Sequence, residues 1–278
     1  MNVITVNVGQ GSLAIVRHNK EALIIDSRIP PCDDDTVAFV KEMFATSLKD
    51  HNVKGFILTG FDDDHCDVIG AAIVLQKYRP DWVLYPRYYK NTDEAKSVFW
   101  LIDEQEKARR NSTKPLKRVS VRLDQLTIRK LPGLSTNFEF ELFSPHIDDM
   151  SSSNNSSIVL KLTGLEWGGF TYLITGDTES GRWCRIDEFF GEALKAHVMA
   201  AAHHGSKNGV HIPSLLHVDP HTVLISAGVN NQYGHPDPAA VKVFHGVAKQ
   251  VFATNMEGGV SLLTQPGRTE LITTLIPS

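Results

Sequence analysis

Thr59-Gly60-Phe61-Asp62-Asp63-Asp64-His65-Cys66-Asp67 crowds carboxylates and an imidazole into one short stretch. Before it, Val53 to Thr59 is rich in β-branched and aromatic residues and reads as a buried strand. After it, Val68, Ile69, Ala72, Ile73 and Leu75 recur at helical spacing. The stretch is therefore a strand-to-helix turn. A divalent cation suits its donors, because zinc accepts nitrogen and carboxylate ligands and manganese takes the same set with more preference for oxygen. An ordinary reading competes: an Asp ahead of a helix caps the free N–H groups and complements the dipole, which would account for Asp62 or Asp63.

Working outward, Val3 to Val8 alternates as a strand, Gly9-Gln10-Gly11 is a tight turn, and Leu13 to Arg17 and Leu23 to Asp26 continue a meander. Asp34 to Leu48 has helical spacing. Trp82 to Tyr85 predicts a strand and Asp93 to Arg110 a charged helix, followed by a linker with Pro115 and strands at Val119 to Leu123, Leu126 to Leu131 and Phe138 to Ser144. The run Ser151 to Ser157 is polar and full of turn formers, so the boundary between an N-terminal half of about 1–150 and a C-terminal half of about 151–278 is placed there, within one domain spanning 1–278. Strands then follow at Ile158 to Leu162, Phe170 to Thr175, His197 to Ala202 and Thr222 to Ser226, with helices near Glu179 to Phe190 and Pro238 to Val247. This pattern predicts an α/β protein with two sheets face to face, helices outside, and loops from both halves meeting along one edge.

Other candidate ligands stand at the ends of those strands. Leu173-Ile174-Thr175-Gly176-Asp177 finishes on Gly-Asp, which suits a metal ligand and equally a plain turn. Val198 to Ala202 runs into His203-His204-Gly205-Ser206, where one imidazole can ligate while its neighbour faces substrate. Ser226 to Pro236 carries Asn230, Asn231 and His235 in a glycine-bounded loop, suited to gripping an anionic oxygen or protonating a leaving group. Ser206 and Lys207 are further candidate substrate contacts.

With 278 residues, 42% of them hydrophobic, the chain can bury a large core. Its 28 basic and 32 acidic residues give a net charge of -4, so no global attraction to nucleic acid or anionic membrane is expected. The opening residues lack the features of a secretory signal and no later run approaches a membrane span, so a cytoplasmic protein without a membrane partner is expected. Cys32, Cys66 and Cys184 are far apart and predict free thiols, Cys66 alone lying beside suspected ligands.

Together these markers resemble the metallo-β-lactamase superfamily, and within it the hydrolase domain of the competence DNA-uptake protein ComEC and its stand-alone relatives. They are Asn7-Val8-Gly9-Gln10-Gly11 with Ile25-Asp26, the Asp64-His65 turn, Asn154 to Leu160, Thr175-Gly176-Asp177, His203-His204-Gly205-Ser206 and Tyr233-Gly234-His235-Pro236, in the family's order and nearly end to end. The resemblance implies a four-layer αββα sandwich. It implies metal ligation by Asp64, His65, Asp177 and His204, with Zn2+ or Mn2+ as cofactor. Gly60 and Asp62 stand where the family's His-x-His-x-Asp-His motif has its first two histidines, so one ion is expected, the second site being lost or rebuilt around Asp62. Hydrolysis by metal-activated water would follow, with Asp177 or Asp62 orienting the water and His203 and His235 at the scissile group.

The implied activity is a phosphodiesterase or nuclease acting on DNA, with nucleic acid or a nucleotide as substrate. Lys107, Arg109, Arg110, Lys114, Lys117, Arg118, Arg122, Arg129 and Lys130 could neutralise phosphates, and Tyr85, Tyr88, Tyr89 and Trp100 could stack on bases; a solvated charged face and core aromatics are the competing readings. A weakened protein that binds without turnover, or a small-nucleotide phosphodiesterase, are the alternatives.

Overall fold

The structure is a computed structural model that describes residues 1–30, 33–88, 90–124, 127–149, 152–165, 169–256 and 260–272. Cys32, Tyr89, Ser151 and the first residue of the strand expected from Leu126 lie outside the described residues. The first sheet runs β15 (Arg268–Ile272), β14 (Ser261–Gln265), β1 (Asn2–Thr5), β2 (Ala14–His18), β3 (Glu21–Ile25), β4 (Asn52–Ile57), β5 (Trp82–Pro86) and β6 (Lys117–Val121). The second runs β13 (Gln250–Ala253), β12 (Thr222–Ile225), β11 (Val198–Ala200), β10 (Thr171–Ile174), β9 (Val159–Gly164), β8 (Phe138–Ser144) and β7 (Arg129–Lys130). The helices are α1 (Asp34–Leu48), α2 (Val68–Ala72), α3 (Asp93–Arg109), α4 (Ser180–Phe190), α5 (Ile212–Val218) and α6 (Pro238–Val247).

The two-residue period of the strands builds the layers. Val3, Val16, Leu23 and Ile25 of the first sheet share one apolar cluster with Phe140, Leu160 and Leu173 of the second. Their alternates Ile4, Ile15, Ala22 and Ile24 pack instead with Val40, Met43 and Phe44 of α1 and Val98 and Leu101 of α3. Trp183, Ile186, Leu215 and Phe244 bring α4, α5 and α6 against the second sheet. The result is the helix, sheet, sheet, helix order expected from the sequence.

Sheet membership does not follow the expected halves. β7 and β8 already belong to the second sheet, so the described residues Ser152 to Ser157 precede β9 inside that sheet rather than dividing two sheets, and β14 and β15 return to the edge of the first. The region is polar because its side chains brace neighbouring loops. Asn155 Oδ1 accepts from Glu179 N at 3.3 Å, and Ser157 Oγ accepts from Asp177 N at 3.0 Å.

β3, β4, β5 and β6 are mutually parallel, as are β10 to β13. The turns leaving β3, β4, β10, β11 and β12 gather at one edge, where loops can carry chemistry on a rigid base. Links between the sheets lock that edge: Ile158 N donates to Thr59 O at 2.9 Å, and Ser226 Oγ to Gly11 O at 2.7 Å.

Candidate metal centre

After β4 the chain forms a tight turn in which His65 N and Cys66 N both donate to Asp62 O, at 2.9 and 3.1 Å. The helix cap is Asp67, which accepts from Gly70 N at 2.8 Å. Capping therefore explains neither Asp62 nor Asp63, and it leaves Asp64 and His65 free to face inward. Neighbouring loops hold the turn, since Ser12 N donates to Asp64 O at 2.7 Å and Ser27 N to His65 O at 2.9 Å. Gly11 permits this closeness: its φ is +143°, and a Cβ there would lie 2.7 Å from Asp64 O and 2.3 Å from Arg28 Cγ.

Asp177 arrives from the end of β10 through Gly176, whose φ is +50° and whose Cβ position is blocked by Ser157 at 2.8 Å. His203 and His204 follow β11 with φ of 52° and 53°, left-handed values uncommon outside glycine. Such backbone persists where surrounding contacts enforce it, and it clusters at functional sites.

One ligand atom from each of Asp64, His65, Asp177 and His204 lies within 4.8 Å of every other. His65 Nε2 is 2.8 Å from Asp177 Oδ1, and His204 Nε2 is 3.6 Å from Asp177 Oδ1 and 3.4 Å from Asp64 Oδ2. Tetrahedral ligands about 2.0–2.1 Å from an ion stand roughly 3.3 Å apart, so these spacings match a metal cage with slight opening at His65.

The hydrogen bonding points the same way. His65 Nδ1 is 2.9 Å from Asp26 Oδ2 and 2.9 Å from Thr59 Oγ1, while His204 Nδ1 donates to Ser226 O at 2.9 Å. With each Nδ1 donating to its acceptor, Nε2 is the nitrogen turned toward the cage. His65 Nε2, His204 Nε2 and Asp177 Oδ1 are all buried without a well-directed hydrogen bond. Orphaned buried polar atoms that converge are costly unless something sits between them, and a divalent ion fits these donors.

The electrostatics of the cage favour positive charge. Burial works against protonating His65, yet the Asp177 and Asp26 carboxylates outweigh it and hold the imidazole well above its ordinary range. His204 is raised in the same way by Asp177 and Asp64. Burial would raise the Asp64 and Asp177 carboxyls, but the adjacent imidazoles prevail and hold both below the usual range.

In front of the cage lies an open cleft of about 440 Å³ that exposes Asp64, Asp177, His203, His204 and His235 together with Gln10, Arg28, Asp62, Asp63, Lys90, Asn154, Gln232 and Tyr233. His203 Nε2 is 3.8 Å from Asp177 Oδ2, and its ring centroid is 5.6 Å from that of His235. His235 is held below the ordinary imidazole range by burial and by the charges of His203 and His204. Asp62 stands outside the cage, bound by Lys90 Nζ at 2.6 Å and Ser153 Oγ at 3.2 Å.

Four of the candidate substrate contacts are placed elsewhere. Asn231 spends its side chain on its own loop, accepting from His235 N at 3.0 Å and donating to Gly228 O at 2.8 Å. Ser206 Oγ accepts from Asn208 N at 3.2 Å, and neither it nor Lys207 nor Asn230 lines the cleft. Cys66 is a packing residue: burial pushes its thiol up, and Ser27 Oγ lies 3.8 Å from its sulfur.

The basic run is largely neutralised. Lys107 pairs with Asp103 and Glu104, Lys114 with Asp81, Arg118 with Asp103 and Glu106, Arg122 with Asp124, and Lys130 with Glu139. Buried Arg109 donates to Pro80 O at 2.8 Å and Lys114 O at 2.9 Å. Tyr85 is core, against Phe61 and Phe99, whereas Trp100 is exposed on α3.

Sequence reading missed Asp26 as the carboxylate behind His65, although Leu23-Ile24-Ile25-Asp26 ends an apolar strand on an acid just as the Asp177 segment does. It also missed Lys90 and Arg28, which belong to no quoted motif, and it read Gln10 only as part of the Asn7 to Gly11 marker and not as a cleft residue.

No protein-family model matches the chain. ComE operon protein 3 of Bacillus subtilis (strain 168) is 29% identical over 218 residues, 78% of this chain and 25% of that protein, so the chain spans about a quarter of its relative's length. Igni18, a metallo hydrolase from the hyperthermophilic archaeon Ignicoccus hospitalis KIN4/I, superposes with a TM-score of 0.55 at 15% identity, covering 95% of this chain and 99% of Igni18. A CmlA β-hydroxylase E377D mutant superposes with a TM-score of 0.51 at 12% identity, covering 95% of this chain and 53% of that one. Among the described residues no helix is long and apolar enough to cross a membrane. Two facing sheets, their flanking helices and an Asp/His cage at one edge thus give this chain the metallo-β-lactamase fold, with ComE operon protein 3 as a sequence relative.

Proposed function

We propose that the chain is a divalent-metal-dependent hydrolase of phosphodiesters, with DNA as the first substrate to test. The observation that carries this reading is the convergence of Asp64, His65, Asp177 and His204, the last three with buried ligand atoms that lack a well-directed hydrogen bond. The sequence resemblance to a competence-protein hydrolase domain brings in DNA, and Igni18 lends a metallo hydrolase on the same fold.

Those four residues would hold Zn2+ or Mn2+. A bound ion supplies Lewis acidity and makes water nucleophilic near neutral pH. The protein's own part is to fix direction: Asp26 and the Ser226 carbonyl set which imidazole nitrogen faces the cage, and left-handed backbone at His203 and His204 sends neighbouring rings to cleft and cage. His203 then faces the scissile group. His235, kept neutral at pH 7 by burial and its histidine neighbours, accepts a proton there.

Purified protein is assayed for zinc and manganese and for cleavage of plasmid, single-stranded DNA and a chromogenic bis-phosphodiester. Asp64→Ala should lose metal and turnover together; full activity in that variant would sink the proposal. A small nucleotide is the second reading, favoured by the ion pairing of the basic run, which leaves the cleft to recognise phosphate. Turnover of cyclic or signalling nucleotides with none of polymers would select it.

A further inference from the structure

Asp62, Asp63, Asp64 and Asp177 all face the cleft. A single divalent ion balances two of these carboxylates and leaves two, which would repel a phosphate. Lys90 and Arg28 are the lysine and arginine that line the same cleft among the described residues, and together they make up the difference.

Their placement is specific. Lys90 Nζ lies 2.6 Å from Asp62 Oδ1, and Ser153 Oγ donates to the same oxygen at 3.2 Å, so an ion would reach Asp62 only by displacing the ammonium. Arg28 lies across Gly11, where a Cβ would come within 2.3 Å of its Cγ. Arg28 Nε and Gln10 Nε2 are buried with no hydrogen-bond partner among the described residues, although Gln10 Oε1 accepts from Gly228 N at 3.3 Å. Donors left this way beside a cleft call for an acceptor that the protein does not provide.

Resting on the hydrolase reading above, we infer that Lys90, docked on Asp62, forms with Arg28 and Gln10 the phosphate-binding half of the cleft, supplying beside one metal ion the charge that a second ion would bring. The substrate class is a phosphate ester held by its non-bridging oxygens.

The test compares zinc-loaded protein with its Lys90→Met, Lys90→Arg and Arg28→Met variants. Metal per chain is read by elemental analysis, and inorganic phosphate binding by titration calorimetry. One zinc per chain is expected throughout. Loss of a charge-assisted hydrogen bond should weaken phosphate binding about tenfold in each methionine variant, while Lys90→Arg keeps the charge and stays within about threefold. Lys90 is exposed, so its replacement should leave folding intact. Unchanged phosphate affinity in both methionine variants would overturn the inference. So would two zinc ions per wild-type chain, one of them lost in Asp62→Asn. Neither readout needs turnover: failure to cleave any diester counts against the hydrolase reading alone.

Discussion

Replacing Asp26 by Asn changes one buried atom and should cost the site most of its metal affinity. Asp26 accepts from Thr59 N at 2.7 Å through Oδ1, and Oδ2 meets Thr59 Oγ1 at 2.8 Å and His65 Nδ1 at 2.9 Å. In the variant the amide oxygen must remain on Thr59 N, which turns the NH2 group toward His65. His65 Nδ1 then becomes an acceptor, its proton moves to Nε2, and that proton points into the cage. Binding an ion would require the other tautomer and leave two N–H groups opposed in a buried space, a penalty of about 1–3 kcal/mol. That corresponds to roughly 5- to 150-fold weaker zinc binding, in line with the losses of about 10- to 100-fold seen when such supporting partners are removed. The backbone adds little, because Asp26 has φ +55° and asparagine tolerates that region well. Zinc affinity measured against a competing chelator is the assay, with melting of the ion-free variant as a control for folding. An Asp26→Asn protein that binds zinc within about twofold of wild type would refute the tautomer argument.

Two further outcomes follow from the same geometry. Because neighbouring carboxylates hold His65 and His204 above the ordinary imidazole range, zinc binding at neutral pH should release protons into weakly buffered solution, and affinity should fall as pH falls; binding without proton release, read by an indicator dye, would contradict those shifts. Gly11→Ala should destabilise the fold by about 2–5 kcal/mol, because the added methyl meets Arg28 and Asp64 O in backbone that alanine resists; a urea-unfolding midpoint like that of wild type would count against it.

The fold and the cage were legible in the sequence for one reason: each ligand is an acid or imidazole directly after a strand, and strand endings are visible in short apolar runs. Strand endings marked the Asp62 to Asp67 turn, Asp177 and the His203-His204 pair as candidates, and the family resemblance selected Asp64, His65, Asp177 and His204 among them. What escaped was set by tertiary placement. β14 and β15 are a hairpin around Pro266-Gly267 whose membership of the first sheet depends on pairing with β1, some 260 positions earlier, as in Val3 against Thr264. The basic run looked unpaired because its acids lie elsewhere, in the last turns of α3 at Asp103, Glu104 and Glu106 and at Asp81 before β5. Lys90 and Arg28 carry no local signature, since each matters only through the cleft it shares with residues from other loops.

Crystals grown with zinc and measured at its absorption edge bear most directly on whether these residues hold a metal. The account predicts one strong anomalous peak bonded to Asp64, His65, Asp177 and His204, at about 2.0–2.2 Å from each. A peak held by other residues, or full zinc occupancy elsewhere with these four side chains still facing one another unbridged, would contradict it.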